Sequence, residues 1–331
     1  MANTEHRLIT ILDWGLGHAS RCVPLVKTWQ TEGKRVTVAS AGSALMLLKA
    51  SLEGVDFIEL PPYAVRYPTR SMIWNMGIQS PRLWGVMRKE QRIINDYARR
   101  EKVDLIVSDG RFGCWSETVK SVWLAHQLQI QHRQPWLAWV MNSGYHTFVR
   151  QHFAEVWVPD LEGEESLAGD LARPIAGLPH RYLGPLSRFA DHKLETTEKI
   201  PYQWLALLSG PEPQRSYLEE ELITCLKALD VPALLVRGVP GSTQPTPITA
   251  NLSIVDWLLG DQLAATIAQA EQLVCRSGYS TLLDAYHWNK PLLLVPTPGQ
   301  TEQEYLAKYW ASRGWAAWQE QGEVRLVGAS K

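Results

Sequence analysis

No apolar run in this chain approaches the roughly 20 residues needed to span a bilayer, so no transmembrane segment is expected. The N-terminal MANTEHRLITIL lacks a basic start followed by a long apolar stretch, which argues against a secretory leader and for a cytoplasmic protein. An excess of charge of one sign is also missing. Lys and Arg number 33, Asp and Glu 34, for a formal net charge of −1, so nothing in the balance calls for nucleic acid as a partner. Cysteine is scarce: Cys22, Cys114, Cys225 and Cys275 lie far apart with no CxxC spacing. They read as reduced, mostly buried thiols rather than a disulfide frame or a zinc site. His126, His132, His146 and His152 cluster in sequence but lack a shared helical face and nearby carboxylates, so no metal is expected. No short-period repeat and no low-complexity tract is present.

What is present suffices for two domains. A length of 331 residues is a little over two typical domain lengths, and 45% hydrophobic residues can fill two cores. Tryptophan is the unusual residue, with 15 copies; its wide amphipathic rings suit sugar or lipid contacts, and core and interface packing is their commoner use. Two turns of similar design stand far apart. Asp13-Trp14-Gly15-Leu16-Gly17-His18-Ala19-Ser20-Arg21 follows the apolar run 8–12, and Arg276-Ser277-Gly278-Tyr279-Ser280-Thr281 follows 272–275. Each reads as strand, small-residue loop and helix. One chain therefore holds two nucleotide-fold halves, which points to an enzyme working in a cleft between them.

Short apolar strands alternate with amphipathic helices. In the first half strands are expected near 7–13, 35–40, 56–60, 104–108, 137–141 and 155–158, with helices near 18–32, 43–51, 83–101 and 114–130. Between 160 and 200 the pattern dissolves into Gly, Pro and charge. It restarts with strands 203–208, 233–237, 252–255, 272–275 and 291–295, and helices 215–229, 263–269, 279–288 and 301–313. Such alternation, with nearly continuous apolar strands, implies doubly wound parallel sheets. The expected plan is a domain over 1–185, a linker over 186–200 and a second domain over 201–331.

Ligands of open parallel sheets bind beyond the carboxyl ends of the strands. At the C-terminal turn, Ser277, Gly278, Ser280 and Thr281 open a helix whose free N–H groups and positive dipole end favour a phosphate. Asp284, one turn further in, is placed for the hydroxyls of a ribose; a plain helix cap at Ser277 or Ser280 is the alternative. The next post-strand loop runs from Pro296 to Tyr305. Gln300, Gln303 and Glu304 offer donors and acceptors for a sugar beside the phosphates; alternatively Thr301 and Glu304 form a capping box. The loop Ser209–Arg215, with Gly210, could bring Arg215 and backbone N–H groups to a diphosphate.

The order of these elements resembles the GT-B glycosyltransferases, and is closest to family 28, which includes the enzyme that adds N-acetylglucosamine to lipid I. The resemblance rests on Arg276-Ser277-Gly278, Thr281 and Asp284, which match a post-strand RSG turn ending in a ribose-holding acid, here Asp rather than Glu. It rests also on Gln303 and Glu304, where the family has two glutamines, and on the GLGHASR stretch, similar to a more glycine-rich loop. It covers most of the chain in element order, with its specific motifs in 205–313.

The resemblance implies a GT-B fold and a metal-independent, inverting transfer from a nucleotide-diphosphate sugar, UDP by default, to an acceptor hydroxyl. No cofactor is implied. The second domain holds the donor, with Arg215 or Arg237 aiding the helix N-terminus at 277–281, and the domains close about the linker. The first domain holds the acceptor, which is a glycan, a lipid-linked sugar or a small molecule, with Gly15, Gly17 and Arg21 in the cleft. His18 is the leading base, because histidine exchanges protons near neutral pH. Asp13 and Asp109 end strands in the same domain, and either could orient the imidazole or act as base. The basic-aromatic stretch 62–92 could meet a lipid-linked acceptor at the inner face of a membrane, or is an irregular packed segment. Two other readings stay open. GxGHxxR also resembles nucleotide-sugar hydrolases of the same two domains, and a non-catalytic nucleotide-sugar-binding protein would share the fold.

Overall fold

A computed structural model describes residues 4–14, 16–63, 72–132, 134–190, 201–210, 212–258 and 260–327, with 72–78 described for the backbone alone. The chain divides into two compact units, Met1–Leu186 and Ser187–Lys331. Of the expected 186–200 linker, residues 191–200 lie outside the described part, as does 64–71 of the basic-aromatic stretch.

The first unit is a seven-stranded parallel sheet. Its strands are β1 (His6–Ile11), β2 (Arg35–Ser40), β3 (Asp56–Glu59), β4 (Leu105–Asp109), β5 (Lys120–Leu124), β6 (Glu155–Val158) and β7 (His180–Tyr182), in the spatial order β3-β2-β1-β4-β5-β6-β7. Helices α1 (Leu16–Thr31), α2 (Gly42–Ser51), α3 (Met72–Glu101) and α4 (Pro135–His152) connect the strands. The β1 and β4 strands lie at the centre of the sheet and are buried at every position but Arg7, which is why Leu8, Ile9, Ile11, Leu105, Ile106 and Val107 read as apolar runs. Helix α1 buries Ala19, Cys22, Val23, Val26 and Trp29 at three- and four-residue spacing. It ends where Gly33 takes φ +74° and the N–H groups of Gly33 and Lys34 close onto Gln30 and Trp29.

The second unit repeats the plan. Its strands are β8 (Tyr202–Leu207), β9 (Ala233–Val236), β10 (Thr246–Pro247), β11 (Leu252–Val255), β12 (Ala270–Cys275), β13 (Leu292–Leu294) and β14 (Ala317–Trp318), in the order β10-β11-β9-β8-β12-β13-β14. All pair in parallel except the short β10. Helices α5 (Gln214–Ala228), α6 (Gly260–Ala268), α7 (Tyr279–Trp288) and α8 (Thr301–Ser312) follow strands as expected. Leu205, Leu235, Val274 and Leu294 are fully or almost fully buried along the central strands. Among the described residues no helix is long and apolar enough to cross a membrane.

Two expectations are corrected. The segment 114–130 is not a helix; it contains β5, whose Val122, Trp123 and Leu124 are buried between β4 and β6. The expected strand at 137–141 lies inside α4. The two errors share a cause. Short apolar runs carry too little period to separate strand from helix, and here pairing between strands decided the first while Pro135, at the first helical position, started the second. The stretch after 158 is also more ordered than its composition suggests. Buried Asp160 accepts hydrogen bonds from the N–H groups of Leu161, Leu167 and Ala168 and from Ser166 Oγ, at 2.7–3.0 Å. It thereby templates a loop that leads into β7.

Candidate functional site

In the first unit the sheet reverses its direction of winding between β1 and β4, so the loops after these two strands diverge and leave a crevice at their carboxyl ends. His18 stands in the first turn of α1, just after β1, and Asp109 is the last residue of β4. Their side chains meet, with His18 Nδ1 3.0 Å from Asp109 Oδ2. The Asp109 carboxylate is fully buried. Arg21, one turn along α1, donates from its Nε to Oδ2 at 3.3 Å and from its NH2 group to Oδ1, and the Cys22 thiol donates to Oδ2 at 3.3 Å. Burial alone would raise the Asp109 pKa. The charges of Arg21 and His18 and their hydrogen bonds more than reverse this and hold the carboxyl well below its usual range. Asp109 is therefore an anion, while His18 keeps 24% of its side chain exposed.

Gly110 makes this approach possible. It takes φ +74°, and a Cβ there would lie 3.1 Å from Leu12 and 3.3 Å from the His18 ring. The backbone turns immediately beneath the imidazole, and a side chain would push it away.

Of the two acids at strand ends, only Asp109 meets His18. Asp13 belongs to a second buried network, in which Arg111 donates to Asp13 Oδ1 at 3.1 Å, to the carbonyl of Ile11 at 2.7 Å and to Glu90. Tyr63 donates to the other oxygen of Glu90 at 2.9 Å. Burial raises the Glu90 pKa, with Arg111 and Tyr63 opposing. This network ties the ends of β1 and β4 to α3. Gly17 lies in the first turn of α1 beside His18, whereas Gly15 lies outside the described residues.

One member of the site was missed from sequence. His126, two residues beyond β5 and 8% exposed, places its Nδ1 3.0 Å from the NH1 group of Arg21. The signal for it was a histidine shortly after a strand end, hidden by reading 114–130 as helix.

In the second unit the winding reverses between β8 and β12, and the turn 276–281 opens α7 there. The N-cap is Gly278, which supplies no side-chain bond to the first turn; Ser280 and Thr281 lie within that turn. Ser277 Oγ is directed away from the helix and donates to the Gln303 carbonyl at 2.8 Å. Gln303 organises the neighbouring loop: its Oε1 accepts from Thr297 N at 2.9 Å and its Nε2 donates to Gln300 Oε1 at 2.6 Å. Thr297 Oγ1 is buried there without a hydrogen-bond partner. The N-cap of α8 is Gln300 rather than Thr301, and Glu304 Oε1 accepts from Gly299 N at 2.8 Å.

The cations near this edge are largely committed. Arg215 bonds Glu212 and Glu219, and Arg237 bonds Glu219 at 2.7 Å and Asp256 at 3.0 Å. Arg276 is 1% exposed. It donates to the carbonyls of Val295 and Pro296 (3.2 Å), and to the Gln214 carbonyl and Gln321 Oε1 (2.7 Å). Burial pulls its pKa down to about 10, which leaves it charged. Arg276 thus clamps the loops after β8, β12 and β13 together. Asp284 is 5% exposed and accepts from Ser187 Oγ at 2.9 Å and Arg188 Nε at 3.0 Å. Its pKa is raised by burial, with Arg188 and Ser187 opposing. Gly210 takes φ +105° in the loop after β8. Among the described residues no three His, Cys, Asp or Glu side chains gather as a metal site.

Comparisons with known proteins bear on this arrangement. Residues 250–326 match the glycosyltransferase family 28 C-terminal domain. No curated protein matches the chain in sequence. Among solved structures, the kitacinnamycin glycotransferase superposes with a TM-score of 0.66 at 16% identity, covering 98% of this chain and 88% of that one. UGT89C1 of Arabidopsis thaliana, complexed with UDP-L-rhamnose, gives 0.65 at 14% identity, with 98% and 88% covered. MurG of Acinetobacter baumannii gives 0.54 at 15% identity, with 97% and 87% covered. The fold is α/β of the GT-B type, built from two Rossmann-like units.

Proposed function

We propose that the chain is a glycosyltransferase that moves a sugar from a nucleoside-diphosphate sugar to an acceptor hydroxyl, with inversion at the anomeric carbon. One observation carries this reading. The segment matching the family 28 domain, 250–326, contains both the turn at 276–281 and the loop at 296–304, the two elements that open helices at the carboxyl ends of β12 and β13. The second unit binds the donor. The leaving diphosphate meets the N-terminus of α7, whose N–H groups and dipole act on the charge that develops there and stand in for a divalent cation. Gln300, Gln303 and Glu304 face the sugar hydroxyls. The ribose contacts Asp284 by taking the places that Ser187 and Arg188 hold.

His18 is the base. With its Nδ1 proton donated to Asp109, its Nε2 lone pair accepts the acceptor proton. The acceptor oxygen then bonds to the anomeric carbon while the bond to the diphosphate oxygen breaks, and the diphosphate leaves with the electron pair. Asp109 holds the ring and balances the imidazolium that forms. UDP is the proposed donor nucleotide, as in the neighbour complexed with UDP-L-rhamnose.

Calorimetric binding of UDP, GDP, TDP and CDP tests the donor site. One nucleotide should bind, and Asp284→Ala should weaken it by about 1–3 kcal/mol. Discrimination of UDP over dUDP should shrink in that variant if the ribose touches Asp284. His18→Ala should bind donor normally and lose turnover. Binding of no nucleotide would overturn the reading. Sugar release at full rate without an acceptor would convert it to a hydrolase.

A further inference from the structure

We propose that His126 is a positioning residue for the His18–Asp109 pair, acting through Arg21. The inference rests on His18 being the base. The carboxyl ends of three strands adjacent to one another contribute: β1 leads to His18 and Arg21, β4 ends at Asp109, and β5 is followed by His126. His126, Arg21 and Asp109 are 8%, 3% and 0% exposed, so only His18 opens toward solvent.

The contacts form a chain with one contested atom. Asp109 Oδ2 lies 3.0 Å from His18 Nδ1, and the NH2 group of Arg21 lies 2.9 Å from the same nitrogen. If Nδ1 carries the proton, it donates to Asp109 and leaves Nε2 with a free lone pair. If Nδ1 accepts from Arg21 instead, the proton sits on Nε2 and the ring cannot act as base. The orientation of the guanidinium therefore selects the tautomer. Its Nε and NH2 edge is turned to Asp109, and its remaining arm, NH1, is held at 3.0 Å by His126 Nδ1. A planar guanidinium held on two sides cannot roll. NH2 already stands 2.9 Å from His18 Nδ1 while it donates to Asp109 Oδ1, so without His126 a small roll of the guanidinium off Asp109 is enough to aim it at that nitrogen and take it from Asp109. His126 Nδ1 must be unprotonated to accept this bond, so the second histidine acts as a neutral acceptor and not as a second base.

The test reads the His18 tautomer directly. Protein labelled with 15N-histidine gives long-range 1H–15N correlations that report which ring nitrogen is protonated, with His18 assigned by its loss in His18→Ala. The wild type should show the proton on Nδ1. His126→Leu should move it wholly or partly to Nε2 and lower kcat at least tenfold, with nucleotide affinity unchanged. His126→Asn, whose carbonyl can accept from NH1, should restore both. Should the Leu variant not fold, His126→Ala, which likewise offers NH1 no acceptor and leaves Arg21 and Asp109 in place, should give the same tautomer shift. A wild-type proton on Nε2, an unchanged His18 tautomer in His126→Leu, or equal losses in the Leu and Asn variants would each overturn the proposal. Full turnover in His18→Ala would remove the base assignment itself. An inactive His18→Ala beside a His126→Leu that behaves as wild type would remove only the positioning role.

Discussion

Replacing Asp109 by Asn keeps the shape of the side chain and removes its charge. The consequence for stability follows from burial. Asp109 and Arg21 are 0% and 3% exposed, and removing one partner of a buried ion pair leaves the other charge uncompensated, at a cost of about 3–5 kcal/mol. In a unit the size of Met1–Leu186, 1 kcal/mol shifts Tm by about 2–4 °C, so the transition of this unit should fall by roughly 6–20 °C. The pH dependence has a definite sign. A carboxyl held below its ordinary value contributes stability that is complete above its unfolded pKa, about 3.9, and is lost as pH falls toward the folded-state value. The gap between wild type and Asp109→Asn should therefore narrow below about pH 4. Scanning calorimetry across pH measures both effects. A cycle with Arg21→Met sharpens the test. The double variant, with neither charge, should be more stable than the sum of the single losses predicts, by about 1–3 kcal/mol. Additive losses, or a Tm change under about 2 °C in Asp109→Asn, would refute the buried-pair reasoning.

Gly110→Ala should cost about 1–2 kcal/mol, since φ +74° is the left-handed region and the methyl would lie 3.3 Å from the His18 ring. Turnover should fall while nucleotide affinity stays constant, and thermal melts with steady-state rates would show whether the two separate. Arg276→Met should leave the acceptors at Gln214, Val295, Pro296 and Gln321 without their donor. A stability loss of about 2–4 kcal/mol with at least tenfold weaker nucleotide binding is expected; unchanged binding in a folded variant would show that these loops do not need the clamp.

The two units share a construction. In each, the strand order reverses beside the first strand, and the residues of interest lie on the loops that part there. In the first unit the crevice holds a histidine against a buried carboxylate; in the second it holds a helix start with glycine as its cap. Under the proposed function the first crevice supplies the proton acceptor and the second the anion site.

Much of this was legible in the sequence. Strand and helix periods gave every element of the second unit longer than two residues, since each apolar run there ends at a Gly, Pro or Ser loop. They also marked His18, Asp109 and the 276–284 turn as post-strand residues. The sequence could not separate Asp13 from Asp109 as the partner of His18, because both end apolar strands. Packing decided it: Arg111, buried beneath the same edge, bonds Asp13, while Arg21 and His18 converge on Asp109. Nor could it show that Arg237 is tied to Glu219 of another element, that Asp284 faces Ser187 and Arg188, or that His126 stands behind Arg21. Local order follows from side-chain period and backbone constraint, which neighbours along the chain specify. Which charge meets which depends on strand pairing and helix placement, and these bring together groups up to about a hundred positions apart.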